Sequence, residues 1–267
     1  MAVVVPVYRE ELTADERISL KHLTRFLQNY PKYQMSPRSL RLRLEGFSVK
    51  RFDDRYFLNA DTYSDLLLSK RFYQEFSDYE YILIYQLDAL VFSDQLADWC
   101  AKGFDYIGAP WLRTSRTEFV TKPTVGNGGF SLRRIDRFLK VFESRNYAID
   151  PGKYWQQLSR GRSKLGRFFQ LPRKYLKRLR RFNGVTWETS RWAEKKSSPH
   201  PNEDYFWSFK ATKYYPQFAI APVEEALRFS FEVAPRKCFE LNGRQLPFGC
   251  HGWAKYDREF WRPYLLD

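Results

Sequence analysis

The chain alternates short apolar runs with longer stretches in which apolar residues recur at helical spacing. Val3-Val4-Val5-Pro6-Val7 is apolar throughout, which predicts a buried strand ended by a loop. Thr13 and Glu16 have capping-box spacing, and Ile18, Leu20, Leu23, Phe26 and Leu27 follow as a helical stripe. Ser48–Phe52 predicts a second strand, and a helix is expected around Tyr63–Phe76. Tyr81-Ile82-Leu83-Ile84-Tyr85 is the strongest strand signal, apolar on both faces as a central parallel strand requires. A helix over Ser93–Ala101, a short strand over Phe104–Gly108 and a glycine-rich, alternating stretch over Val125–Leu132 come next. Helices at Ile135–Phe142 and Asn202–Lys210 and a strand at Phe218–Ala221 complete the rhythm. The pattern predicts one α/β domain over 1–267, with a mostly parallel central sheet and an insertion near 145–200.

Charge sharpens the view of that insertion. The formal net charge is +14, yet Arg160 to Arg181 hold ten Lys or Arg and no Asp or Glu. Without those ten, the 45 basic residues fall to 35 against 31 acidic ones, so the body is close to balance. Within the same segment Leu165, Phe168, Phe169, Pro172, Leu176 and Leu179 recur at near-helical spacing. That is the pattern of an interfacial helix, with Pro172 dividing it in two. An anionic membrane surface is the expected partner, through Arg167, Phe168, Phe169, Arg173, Lys174, Lys177 and Arg178. A solvated loop and a nucleic-acid stripe are the alternatives; the near-balanced body argues against nucleic acid, and none is expected.

Three scattered cysteines give neither a zinc spacing nor a disulfide framework. The apolar N-terminal run is too short for a signal peptide, and no run approaches the length of a membrane span. The expected setting is cytoplasmic, with any membrane association peripheral.

Four constellations carry candidate chemistry. Gln86-Leu87-Asp88 directly follows the strongest strand, where open α/β sheets bind ligands and where a hard carboxylate suits a metal holding a diphosphate. Asp88 alternatively only starts the turn before Ala89. Val125-Gly126-Asn127-Gly128-Gly129 lets a substrate approach the backbone closely, or forms a hairpin turn. Asn202-Glu203-Asp204 offers a general base, or acids favoured at a helix N-terminus. Gly249-Cys250-His251-Gly252-Trp253 puts one of three histidines between glycines, as a metal ligand or a structural residue.

In this order the motifs resemble those of the GT-A glycosyltransferases, and more narrowly a widespread glycosyltransferase-like family of microbial genomes. The matching stretches are Val4–Arg9, Phe52–Phe57, Leu66–Phe72, Tyr81–Phe92, Phe104–Trp111, Val125–Arg133, Ala221–Phe231 and Leu246–Trp253. The resemblance implies a GT-A-like, Rossmann-type fold and transfer of a sugar from a nucleoside-diphosphate sugar, with UDP expected, to a saccharide or lipid-linked acceptor. It implies that Pro6, Tyr8, Arg9, Gln86 and Asp88 hold the nucleotide and that Asp88 and His251 hold Mn2+ or Mg2+. Asp204 is then the base of an inverting reaction assisted by Glu203, while Asn127, Gly128, Gly129 and Trp253 line the sugar and acceptor site. Gln86 departs from the family's first carboxylate and brings no charge. The competing readings are a non-catalytic sugar- or nucleotide-binding module and a nucleic-acid-binding protein using residues 160–181.

Overall fold

The computed structural model describes residues 1–114, 120–192 and 202–266. Its strands are β1 (Ala2–Pro6), β2 (Lys32–Pro37), β3 (Ser48–Phe52), β4 (Tyr81–Tyr85), β5 (Leu90–Val91), β6 (Tyr106–Ile107), β7 (Pro110–Trp111), β8 (Thr124–Val125), β9 (Phe130–Arg134), β10 (Ser230–Phe231) and β11 (Gly249–Cys250). The central sheet has the order β3-β2-β1-β4-β9-β6. β3, β2, β1 and β4 run parallel, and β9 is antiparallel to both β4 and β6. This is an α/β fold with a mostly parallel central sheet, as the sequence pattern predicts.

Because side chains alternate along a strand, the apolar runs of β1 and β4 feed two cores at once. Val4, Ile82 and Ile84 pack on one face with Phe72, Phe138 and Trp207. Val3, Val5, Leu83 and Tyr85 pack on the other with Leu23, Leu27 and Trp99. The helix Ala14–Phe26 begins at Thr13 with both bonds of the capping box formed.

Three expectations change. β2 was not anticipated, because its sequence Lys-Tyr-Gln-Met-Ser-Pro is largely polar. Its buried Gln34 is satisfied locally, accepting from the Leu44 N–H at 2.8 Å and donating to the Leu42 carbonyl at 2.9 Å. The helix expected over Tyr63–Phe76 is two helices, Ala60–Leu67 and Lys70–Gln74, capped by Asn59 and Ser69 in turn. Phe218–Ala221 is no full strand; it makes a single bridge, Ile220 to Tyr106.

The basic segment forms a helical excursion: Pro151–Ser159, Lys164–Phe168, Leu171–Leu176 and a 3-10 turn at Arg180–Phe182, followed by the helix Val185–Thr189. Pro172 lies in the first turn of its helix, where its missing N–H costs nothing. Fully buried Asn183 closes the neck. It donates to the carbonyls of Ile149 and Lys177, each at 2.7 Å, and accepts from the Ile149 N–H at 2.9 Å. Two of the expected membrane residues turn inward instead. Lys174 lies 4.6 Å from the Trp155 ring centre, on another helix of the excursion, and Lys177 lies 3.6 Å from that of Trp187 in Val185–Thr189, so cation–π contact turns both away from open solvent. Burial, followed by nearby Arg191, lowers the Lys177 pKa. Residues 193–200 of the expected insertion lie outside the described residues.

Candidate active-site cleft

Strand pairing brings distant parts of the sequence together at one end of the sheet. β5 begins two residues after Asp88, β11 ends just before His251, and Leu90 pairs with Cys250. Phe231 of β10 pairs with Cys250 in parallel, which sets Glu232 beside His251. Tyr85 pairs with Phe130, so Gln86 meets Gly129, and the Gln86 N–H donates to the Gly129 carbonyl at 2.8 Å.

His251 is the hub. Its Nε2 lies 3.1 Å from both Asp88 Oδ1 and Gln86 Oε1, and its Nδ1 lies 2.9 Å from Glu232 Oε1. Burial opposes the charged imidazolium, yet the carboxylates of Asp88 and Glu232 together outweigh it and raise the His251 pKa well above its ordinary value. For Asp88, burial acts to raise the pKa, but the contact with His251 prevails and lowers it. Gly129 is required here, since a Cβ would lie 2.0 Å from His251 Nε2.

Asn127 locks the layer behind. Its φ of 92° is left-handed, unusual outside glycine, and its backbone groups and side-chain oxygen are all engaged. Oδ1 accepts from the N–H groups of Gly129 (2.7 Å) and Phe130 (2.9 Å), while Nδ2 faces His251 Nδ1 at 3.1 Å. Its own N–H donates to Asp204 Oδ2 at 3.1 Å, and its carbonyl accepts from Tyr106. Burial first, then neighbouring Glu203 and Glu232, push Asp204 up to about 7. Glu203 has a different partner. It forms a fully enclosed ion pair with Arg133 at 2.8 Å, and Arg133 also donates to Tyr73.

In front of this network lies a cleft of about 480 Å³, lined by Pro6, Tyr8, Arg9, Asn59, Tyr63, Gln86, Asp88 and Lys255 among others. All five residues expected to hold a nucleotide therefore share one cavity, outside the carboxyl ends of β1 and β4. Arg9 and Lys255 supply positive charge there, and both are exposed. Two sugar-site expectations need correction. Trp253 is completely buried in a third core with Phe231 and Trp261, leaving no ring face for a ligand. Asn127 is 1% exposed, and it holds other residues in place rather than forming a floor. Gly128 is half-buried, and a Cβ there would strike Glu203.

Sequence reasoning missed Glu232, Arg133, Tyr63 and Lys255. Glu232 follows the matching stretch Ala221–Phe231 by one residue, so the pairing of β10 is what gives it meaning. Arg133 sits in an alternating strand whose two faces are both buried, a fact no local pattern carries.

Fold and cleft together define an α/β protein with a cavity at the carboxyl edge of a mostly parallel sheet. The chain belongs to the family described as "Protein of unknown function (DUF5672)", which matches residues 46–251 and so spans Gln86, Asp88, Asn127, Glu203, Asp204, Glu232 and His251. No curated protein matches it. Solved structures similar to this chain include mouse xyloside xylosyltransferase 1, at 14% identity over 94% of this chain and 97% of that one, with a TM-score of 0.49. Another is the galactosyltransferase LgtC in complex with donor and acceptor sugar analogues, at 10% identity over 94% and 86%, with a TM-score of 0.47. A third is a glycosyltransferase involved in glycosylation of the major capsid of PBCV-1, at 10% over 97% and 96%, with a TM-score of 0.45.

Proposed function

We propose that this protein is a glycosyltransferase that moves a sugar from a nucleoside-diphosphate sugar, with UDP the expected nucleotide, to a hydroxyl of a saccharide or lipid-linked acceptor. The observation that carries the reading is the convergence of Arg9, Gln86, Asp88 and Lys255 on one cleft beyond the ends of parallel strands, with His251 against Gln86 and Asp88 behind it.

The donor set fits a divalent ion, though leanly. Among the described residues no group of three or more His, Cys, Asp or Glu is placed to hold a metal. Asp88 and Gln86 oxygens nevertheless stand 3.1 Å from His251 Nε2, close to the ~3 Å between neighbouring ligands of an octahedral ion with bonds of about 2.1 Å. Asp88, His251 and Gln86 would hold Mn2+ or Mg2+, with diphosphate and water completing the shell. A bound ion would supply Lewis-acid stabilisation of the departing diphosphate. Glu232 would keep the His251 Nδ1–H engaged, leaving Nε2 free to ligate once its proton is released.

The chain's own groups do the rest. Arg9 and Lys255 offset charge on the leaving nucleoside diphosphate. The acceptor hydroxyl passes its proton to Asp204, its oxygen bonds to the anomeric carbon, and the sugar–phosphate C–O bond breaks with its electron pair leaving on the diphosphate. A base near 7 is suited to that proton transfer. Glu203, tied to Arg133, positions Asp204 rather than touching the acceptor.

The test is a thermal-shift panel of nucleoside diphosphates with and without Mn2+, followed by donor turnover on the wild type and on Asp88→Ala and Asp204→Asn. Metal-dependent stabilisation by one nucleotide, with turnover lost in both variants, is the expected result. Full activity in both variants overturns the reading.

A further inference from the structure

Thirteen large apolar side chains stand well exposed among the described residues, and seven of them fall between Leu165 and Phe182. Such clustering departs from the scattered apolar exposure of an ordinary surface. Leu165, Phe168 and Phe169 are 67%, 64% and 68% exposed, and the two phenylalanine rings sit edge to face, 6.0 Å apart. Around them are the ten basic residues of Arg160–Arg181, with no acidic residue to neutralise them.

The excursion is a built element. Asn183 staples its neck, Lys174 stacks on Trp155 and so ties two of its helices together, and Lys177 stacks on Trp187 of Val185–Thr189 beyond it. Leu165, Phe168, Phe169 and Arg173 are left facing solvent. Exposed aromatics beside unpaired cations complement one kind of surface above others: an apolar layer roofed by anionic headgroups.

We propose that this excursion docks the protein on an anionic lipid bilayer, with Phe168 and Phe169 entering the headgroup–acyl boundary and the surrounding Arg and Lys pairing with lipid phosphates. No residue of the cleft takes part, so this surface stands or falls separately from the transferase reading. Nucleic acid satisfies the cations but leaves Leu165 and Leu176 without a partner.

The experiment is co-sedimentation of the full chain with phosphatidylglycerol/phosphatidylcholine vesicles, pure phosphatidylcholine vesicles, and a short RNA in a parallel binding assay. Binding to the anionic vesicles, weakened by salt and by removal of phosphatidylglycerol, is expected. Phe168→Ser/Phe169→Ser should lower partitioning roughly tenfold, and Arg167→Gln or Arg173→Gln roughly fivefold each. Thermal midpoints and nucleotide-induced shifts equal to wild type establish that the variants are folded. Equal vesicle binding by wild type and the double serine variant overturns the proposal. So does RNA binding tighter than vesicle binding and indifferent to the two phenylalanines.

Discussion

The cleft and the basic excursion break the usual rule of burial in opposite directions. Around His251 the molecule buries polar and charged groups: Asp204, Glu203, Arg133 and Asn127 are each less than a tenth exposed. Along the excursion it exposes Phe168, Phe169 and Leu165 instead. Buried polar groups are costly unless partnered, and the cleft meets that cost with an interlocked set in which Glu203 Oε2 and the Tyr63 hydroxyl are left without a partner among the described residues. Exposed apolar groups need no internal partner, and the ties of the excursion are made by other groups: Asn183 at its neck, the Tyr147 hydroxyl donating to the Arg178 carbonyl, and Lys177 stacked on Trp187. The contrast teaches that the two regions should respond to substitution in different currencies, stability and chemistry for one, surface attachment for the other.

The sharpest way to break that comparison is at Arg133. Arg133→Met leaves Glu203 charged and unpaired in the core, and unfolding should become easier by about 3–5 kcal/mol in denaturant titration. A change below 1 kcal/mol would mean the ion pair is not part of the framework. Next in size is Asp204→Asn, which should lower turnover about 10²–10⁴-fold with little change in nucleotide binding, read as kcat against Kd.

The same residue links pH to stability. An unfolded aspartate titrates near 3.9, whereas folded Asp204 titrates at about 7. Between these values the folded chain keeps a proton that the unfolded chain has released. The contribution of Asp204 is therefore greatest at low pH and is lost as pH rises from about 4 to 7. Melting curves across that window should fall less steeply for Asp204→Asn.

Glu232→Gln comes after, with Mn2+ affinity by titration calorimetry or spin resonance expected to drop about 10–100-fold. The smallest expected effect is on the other side of the comparison. Phe168→Ser/Phe169→Ser should leave stability within about 0.5 kcal/mol, as exposed positions do. A large loss there would show that the excursion's aromatics belong to the core after all.

Much of the architecture was legible because it rests on local pattern. Val3–Val7 and Tyr81–Tyr85 are apolar on both faces, and Thr13 with Glu16 spells a cap that forms as written. The broken helix at Pro172 was readable for the same reason. What escaped depends on pairing between remote segments. β2 hides behind Gln34 and Ser36: Gln34 donates to the Ser36 hydroxyl within the strand and bonds Leu42 and Leu44 in the loop ahead. Glu232 gains its place through β10 and β11, and Trp253 loses its expected role because Phe231 and Trp261 close over it. Asp88 and His251, by contrast, were named from strand end and glycine-flanked loop, and the register of Leu90 with Cys250 sets them side by side.

Asn183 has one more consequence. Because it ties Ile149 directly to the far end of the excursion, the chain leaves and re-enters the body at nearly the same point. Thirty-odd residues thus hang from a clasp rather than a hinge, the two ends of the loop held together by one side chain. Changes in the length or composition of that pendant should therefore leave the cleft unmoved.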